Sequence, residues 1–87
     1  MSVNKNIREQ LPEDTIVFDN YAYDNSIIGI TTEDSAVYDF DLMVEELIKD
    51  EGFSYEDAVA WIEYNTIRSL PYSQEPRPII MYRIERE

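Results

Sequence analysis

Ala36-Val37-Tyr38-Asp39-Phe40-Asp41-Leu42-Met43-Val44-Glu45-Glu46-Leu47-Ile48-Lys49-Asp50-Glu51-Gly52 is the stretch in which the hydrophobic pattern changes period, and that change decides the fold. Ala36 to Asp39 carries β-branched and aromatic residues and reads as a short strand. From Phe40 onward the apolar set Phe40, Met43, Val44, Leu47 and Ile48 recurs at helical spacing. Asp41 stands where an N-cap belongs, and Glu45 and Glu46 fall in the first turns, where the helix dipole favours carboxylates. Gly52 is the expected left-handed stop.

Upstream, Ser26-Ile27-Ile28-Gly29-Ile30-Thr31 reads as a strand. The polar loop Thr32-Glu33-Asp34-Ser35 then joins it to the strand at Ala36 as a hairpin. Earlier still, Thr15-Ile16-Val17-Phe18 reads as a first strand that ends in a bend at Asp19-Asn20. Downstream, Ser54 caps a second helix that begins with Tyr55, Glu56 and Asp57 and runs to about Ser69, where Pro71 closes it. Trp61, flanked by Ala58, Val59 and Ile62, is expected to fill space in the core. The Gly52-Phe53 link is so short that the two helices should form an αα-hairpin. Pro78 to Ile84 reads as a last strand, with the proline tolerated at its start. The expected architecture is α+β in the order β-β-β-α-α-β. A small, mostly antiparallel sheet of three or four strands is packed on one face by a two-helix hairpin. One domain spans residues 1–87, with a flexible arm over 1–11 and a folded core over 12–84.

The charge is as informative as the periodicity. The chain has 19 Asp and Glu against 7 Lys and Arg, for a net charge of -12, and 16 of those acids lie between Glu9 and Ile67 with Lys49 as the one base among them. Such a field repels nucleic acid and anionic membrane and attracts basic protein surfaces. Direct nucleic-acid binding and membrane association are therefore not expected, and crowded like charges predict that added salt stabilises the fold. With no Cys, neither a disulfide framework nor a thiolate metal site can be built. The polar start Met1 to Asn6 lacks the apolar core of a signal peptide, so a cytoplasmic location is expected. Nor does the chain carry a His, a glycine-rich phosphate loop or a recognisable nucleophile with its base, which argues against an enzyme.

At the second helix, Tyr55-Glu56-Asp57-Ala58-Val59-Ala60-Trp61-Ile62-Glu63-Tyr64-Asn65-Thr66-Ile67-Arg68-Ser69-Leu70-Pro71-Tyr72 resembles small acidic proteins of phages and mobile elements of Gram-positive bacteria. The Tyr-Asn-Thr-Ile-Arg-x-Leu-Pro-Tyr segment carries most of the likeness. Phe18-Asp19-Asn20, Ile27-Ile28-Gly29 and Val37 to Asp41 extend it over about residues 12–82. The resemblance implies no specific activity. Many small acidic phage proteins act by occupying host proteins, which raises an inhibitor among the alternatives by analogy.

Three constellations compete with plainer roles. Glu45, Glu46, Asp50, Glu56 and Glu63 recur at helical spacing, and acids one turn apart, roughly 5–6 Å, can imitate a row of phosphates. Alternatively they form a solvated helix face. Tyr64, Asn65, Arg68 and Tyr72 cluster around the end of the second helix as candidate partner contacts, Tyr and Arg being typical interface anchors. Arg68 could instead serve the helix C-terminus. Asp39 and Asp41, with Asp19 or Asp24, could hold Mg²⁺ or Ca²⁺, but capping by Asp41 and strand termination by Asp39 account for them without a metal. The expected protein is therefore an acidic protein-binding module without catalytic residue, cofactor or metal. It would act as a phage-type inhibitor or nucleic-acid mimic that occupies a basic groove of a host or defence protein. The alternative is a structural, homo-oligomerising protein that uses its strand edges and tyrosines.

Overall fold

The computed structural model describes residues 4–84, with side chains from residue 7 onward except that of Tyr21. A helix α1 (Asn4–Gln10) lies in the segment read as a flexible arm. An extended stretch follows, then a 3-10 helix over Tyr21–Ser26 and strands β1 (Ile27–Ile30) and β2 (Ala36–Asp39). Helix α2 (Phe40–Glu51) starts directly from β2, and α3 (Tyr55–Trp61) continues as a π-helical segment over Ile62–Ile67. A 3-10 turn at Leu70–Tyr72 leads into β3 (Ile79–Met81). The fold is α+β, as expected.

The sheet is mixed, in the order β1-β2-β3. β1 pairs antiparallel with β2, Ile30 opposite Ala36, while β3 pairs parallel with β2, Val37 opposite Ile79 and Asp39 opposite Met81. Parallel pairing follows from the chain path. Both helices intervene between β2 and β3 and act as the crossover that a parallel pair requires. The hairpin turn is organised by Thr31, whose Oγ1 accepts from the amides of Glu33 and Ser35, and Asp34 takes up the left-handed conformation at φ 68°. Asp is among the residues that tolerate that region.

Thr15-Ile16-Val17-Phe18 is not a strand. Its place beside the core is set by side chains instead of a ladder. The Phe18 amide donates to the Tyr38 hydroxyl at 3.0 Å, and the Arg8 guanidinium donates to the Phe18 carbonyl at 3.0 Å. With both backbone groups satisfied in this way, β propensity has no neighbouring strand to act on. Nor do Tyr21-Ala22-Tyr23 extend a strand. Asn20 accepts from the Ala22 amide at 3.0 Å and starts the 3-10 helix.

The core gathers Tyr23, Ala36, Tyr38, Phe40, Met43, Val44, Leu47, Ala58 and Ile62. Helix α2 packs chiefly against the 3-10 helix at Tyr21–Ser26 and secondarily against α3, so the helical hairpin has a third partner that its apolar stripes alone do not reveal. Gly52 ends α2 at φ 73° and its amide returns to the Ile48 carbonyl, while Ser54 accepts from the Asp57 amide at 3.1 Å to start α3.

Tyr38 is fully buried, and that burial pushes its phenol up to about 12 despite the hydrogen bond from Phe18. Its hydroxyl is thus protonated and a neutral acceptor at pH 7. Tyr38→Phe should leave the Phe18 amide without this acceptor and destabilise the protein by about 1–3 kcal/mol in urea unfolding at pH 7. An unchanged midpoint would show that the hydroxyl does not hold the extended segment.

Candidate functional site: an acidic and aromatic helix face

α2 begins two residues earlier than Asp41 implies. Asp39 has extended dihedrals and caps the helix by accepting from the Leu42 amide at 3.2 Å, which leaves Asp41 exposed in the first turn. The second oxygen of Asp39 accepts from Arg83 Nε at 2.7 Å, and Arg83 also approaches Asp41 at 3.9 Å. Burial alone would push the Asp39 carboxyl up. The guanidinium and the amides of Leu42 and Asp41 outweigh it and hold the group below its ordinary 3.8. Both oxygens are therefore engaged within the chain. Among the described residues no cluster of three or more acids is arranged to hold a metal ion.

This pair positions the residue before Arg83. Tyr82 lies against Phe40, ring centroids 4.9 Å apart, and projects into the clefts along α3 and the π segment. One cleft is lined by Phe40, Tyr55, Glu56, Val59, Glu63 and Tyr82. The next, over the π segment, is lined by Glu63, Tyr64, Ile67, Arg68 and Tyr82. Arg68 lies over the Tyr64 ring at 5.4 Å from its centroid, a cation–π contact.

The π segment determines what this face presents. Ala58, Ile62 and Thr66 point inward at one-turn intervals, and Thr66 meets the Tyr23 hydroxyl at 3.4 Å. The helix widens into the π form after Trp61, and at its start the Asn65 side-chain amide donates to the Trp61 carbonyl oxygen at 3.2 Å. Trp61 lies off the inward stripe. It is 46% exposed and rests on Phe53 at 5.6 Å between centroids, so it is a surface aromatic and not the core residue its neighbours imply.

The residues singled out from sequence divide accordingly. Glu56, Glu63, Tyr64 and Arg68 are brought together along the outer face of the second helix, and Asn65 lies beside them. Glu45 and Asp50 are exposed on α2, with Glu45 near enough to Arg83 to act on its charge. Glu46 is buried and meets Lys49 Nζ at 3.5 Å, taking the lysine that i,i+4 spacing would assign to Glu45. That interrupts the row of acids on α2. Glu56 and Glu63, seven residues apart, are separated by roughly 10 Å along the axis, wider than one turn. Tyr72 is 88% exposed on the 3-10 turn, outside the clefts that hold Tyr64 and Arg68. Sequence reasoning missed Tyr55, Phe53, Trp61 and Tyr82. The available signal for Tyr82 was its place directly before Arg83, the mate of a carboxylate next to Phe40.

Because its folded value is depressed, Asp39 contributes stability that is complete above 3.8 and is lost as pH falls through the lower folded value. Arg83→Gln should therefore be less stable than the parent at pH 7, and the two stability curves should converge as pH falls through the depressed folded value of Asp39. Urea unfolding across pH 2–7 checks this, and a gap that stays constant to the lowest pH would contradict it. Comparison with known proteins adds no relative to this picture, since no family model, curated protein or solved structure matches the chain.

Proposed function

We propose that the protein is an acidic binding module whose outer helical face engages a basic surface of a host or defence protein, in the manner of a phage-type inhibitor. The supporting observation is how its charges are distributed between pairs and free surface. Arg8 pairs with the buried Asp24, Arg83 with the buried Asp39, Lys49 with the buried Glu46, and Arg77 with Glu75. Arg68 lies on Tyr64. Among the described residues no cation pairs with Glu56, Asp57 or Glu63, and the exposed rings of Tyr55, Tyr64 and Tyr82 share clefts with Glu56 and Glu63. Aromatic rings with unpaired carboxylates around them supply contact area together with long-range attraction for a basic partner.

The burial of Glu46 and the wide spacing of Glu56 and Glu63 favour recognition of a basic protein groove through charge and aromatic contact over a close copy of a phosphate row. No helix among the described residues is long and apolar enough to cross a membrane. A second reading, a homo-oligomer, draws on Ile28, Ile30 and Ile79, which are exposed on β1 and β3. The net charge of -12 opposes that association at low salt. Light scattering separates the two: a concentration-independent monomer removes the oligomer.

The immobilised protein is expected to retain basic nucleic-acid-binding proteins from a bacterial lysate at about 50 mM salt and to release them at about 300 mM or with excess duplex DNA. Glu56→Gln/Glu63→Gln should retain less. Capture that resists salt and DNA, or that is unchanged in the double variant, would contradict the proposal.

A further inference from the structure

The face contains a third cleft that the pairs described so far do not occupy. It is about 400 Å³ and is lined by Phe53, Asp57, Ala60, Trp61, Tyr64 and Asn65. Three of the six are aromatic. Phe53, from the link between the helices, and Trp61 stand with ring planes at 54° and centroids 5.6 Å apart, and the small Ala60 leaves room beside them. Tyr64 is 66% exposed and is shared with the neighbouring cleft, where Arg68 lies over its ring, whereas Arg68 does not line the Trp61 cleft. The chain thus already places a guanidinium on one of these rings.

We propose that the cleft formed by Phe53, Trp61 and Tyr64 with Asp57 receives a guanidinium or alkylammonium side chain from the basic partner. The inference rests on the binding function above and gives it a specific contact. Aromatic faces attract cations through the ring quadrupole, most strongly where water is partly excluded, and indole is the best of the rings. Asp57 places a carboxylate in the same lining, and among the described residues no cation pairs with it. Asn65, which also lines the cleft, donates through Nδ2 to the Trp61 carbonyl. An apolar side chain would cover the Asp57 carboxylate without replacing its hydration, at a cost that a cation avoids. A second copy of the chain would have to bring its own excess of acid to an acidic site.

Trp61 is the chain's single tryptophan, so its emission reports on this cleft directly. The full chain is titrated with an alternating Gly-Arg decapeptide and with its lysine, trimethyl-lysine, citrulline and norleucine counterparts, by fluorescence and calorimetry. The expected result is saturable binding of the cationic peptides, with citrulline and norleucine weaker by about tenfold or more. The order among arginine, lysine and trimethyl-lysine identifies the cation preferred. Asp57→Asn and Tyr64→Leu, both at exposed positions, should each weaken the arginine peptide by about three- to fivefold. Glu33→Gln, the same charge change on the hairpin loop outside the lining of this cleft, should alter it by less than about twofold. Equal losses in Asp57→Asn and Glu33→Gln would overturn the cleft and leave the general attraction for basic surfaces standing. Equal binding of the norleucine peptide, or no response of Trp61 when calorimetry registers binding, would overturn it as well. No binding of any peptide would overturn the cleft and, joined to failure of the salt-reversible capture, the basic-partner reading too.

Discussion

The Asp39 carboxylate is the constraint on which the arrangement of the molecule turns. It ends β2, its Oδ1 accepts the Leu42 amide that opens α2, and its Oδ2 accepts from Arg83 beyond β3. One side chain therefore sets where the strand stops, where the helix begins and how the C-terminal segment returns. A carboxylate this buried is costly unless every oxygen is satisfied, and loss of either partner leaves that cost uncompensated. The adjacent residues inherit the geometry. Phe40 and Tyr82 follow and precede the paired groups, and their contact brings an exposed tyrosine to the acidic helix.

A similar economy operates at the other end of the chain. Arg8 reaches from α1 to Asp24 at 2.8 Å and to the Phe18 carbonyl, while the Phe18 amide meets the Tyr38 hydroxyl. The extended segment is held by two side chains where a sheet would use a ladder. In both places arginine neutralises a buried carboxylate. A chain with few cations that directs three of them to buried carboxylates leaves its outer acids uncompensated, which links the packing of the core to the field at the surface.

Much of this was legible in the sequence because the signals were local. The hairpin, the helical period from Phe40 to Ile48, the glycine stop at Gly52 and the Ser54 cap all depend on neighbours a few residues apart. What escaped depended on distant partners. Thr15 to Phe18 has strand composition, but its hydrogen bonds come from Arg8 and Tyr38. Asp39 and Asp41 are equivalent as caps until Arg83 is known to lie beside the first. The direction of β3 follows from the crossover, which no residue in the strand encodes. At the site, Glu46 and Trp61 exchanged their expected environments: the acid is buried beside Lys49, and the indole lies outside the stripe of Ala58, Ile62 and Thr66. Helical phase near the π segment decides the second, and composition is blind to it.

On the reading proposed above, attraction for a basic partner is concentrated on one face, although acids occur over most of the chain. Amide and side-chain chemical-shift mapping with an arginine-rich peptide at low salt tests it most directly. The shifts are expected to gather on Glu56, Asp57, Glu63, Tyr64, Asn65 and Tyr82 and to leave the loop acids Glu13, Glu33 and Asp34 unmoved. Shifts spread evenly over the loop and helix acids would contradict it.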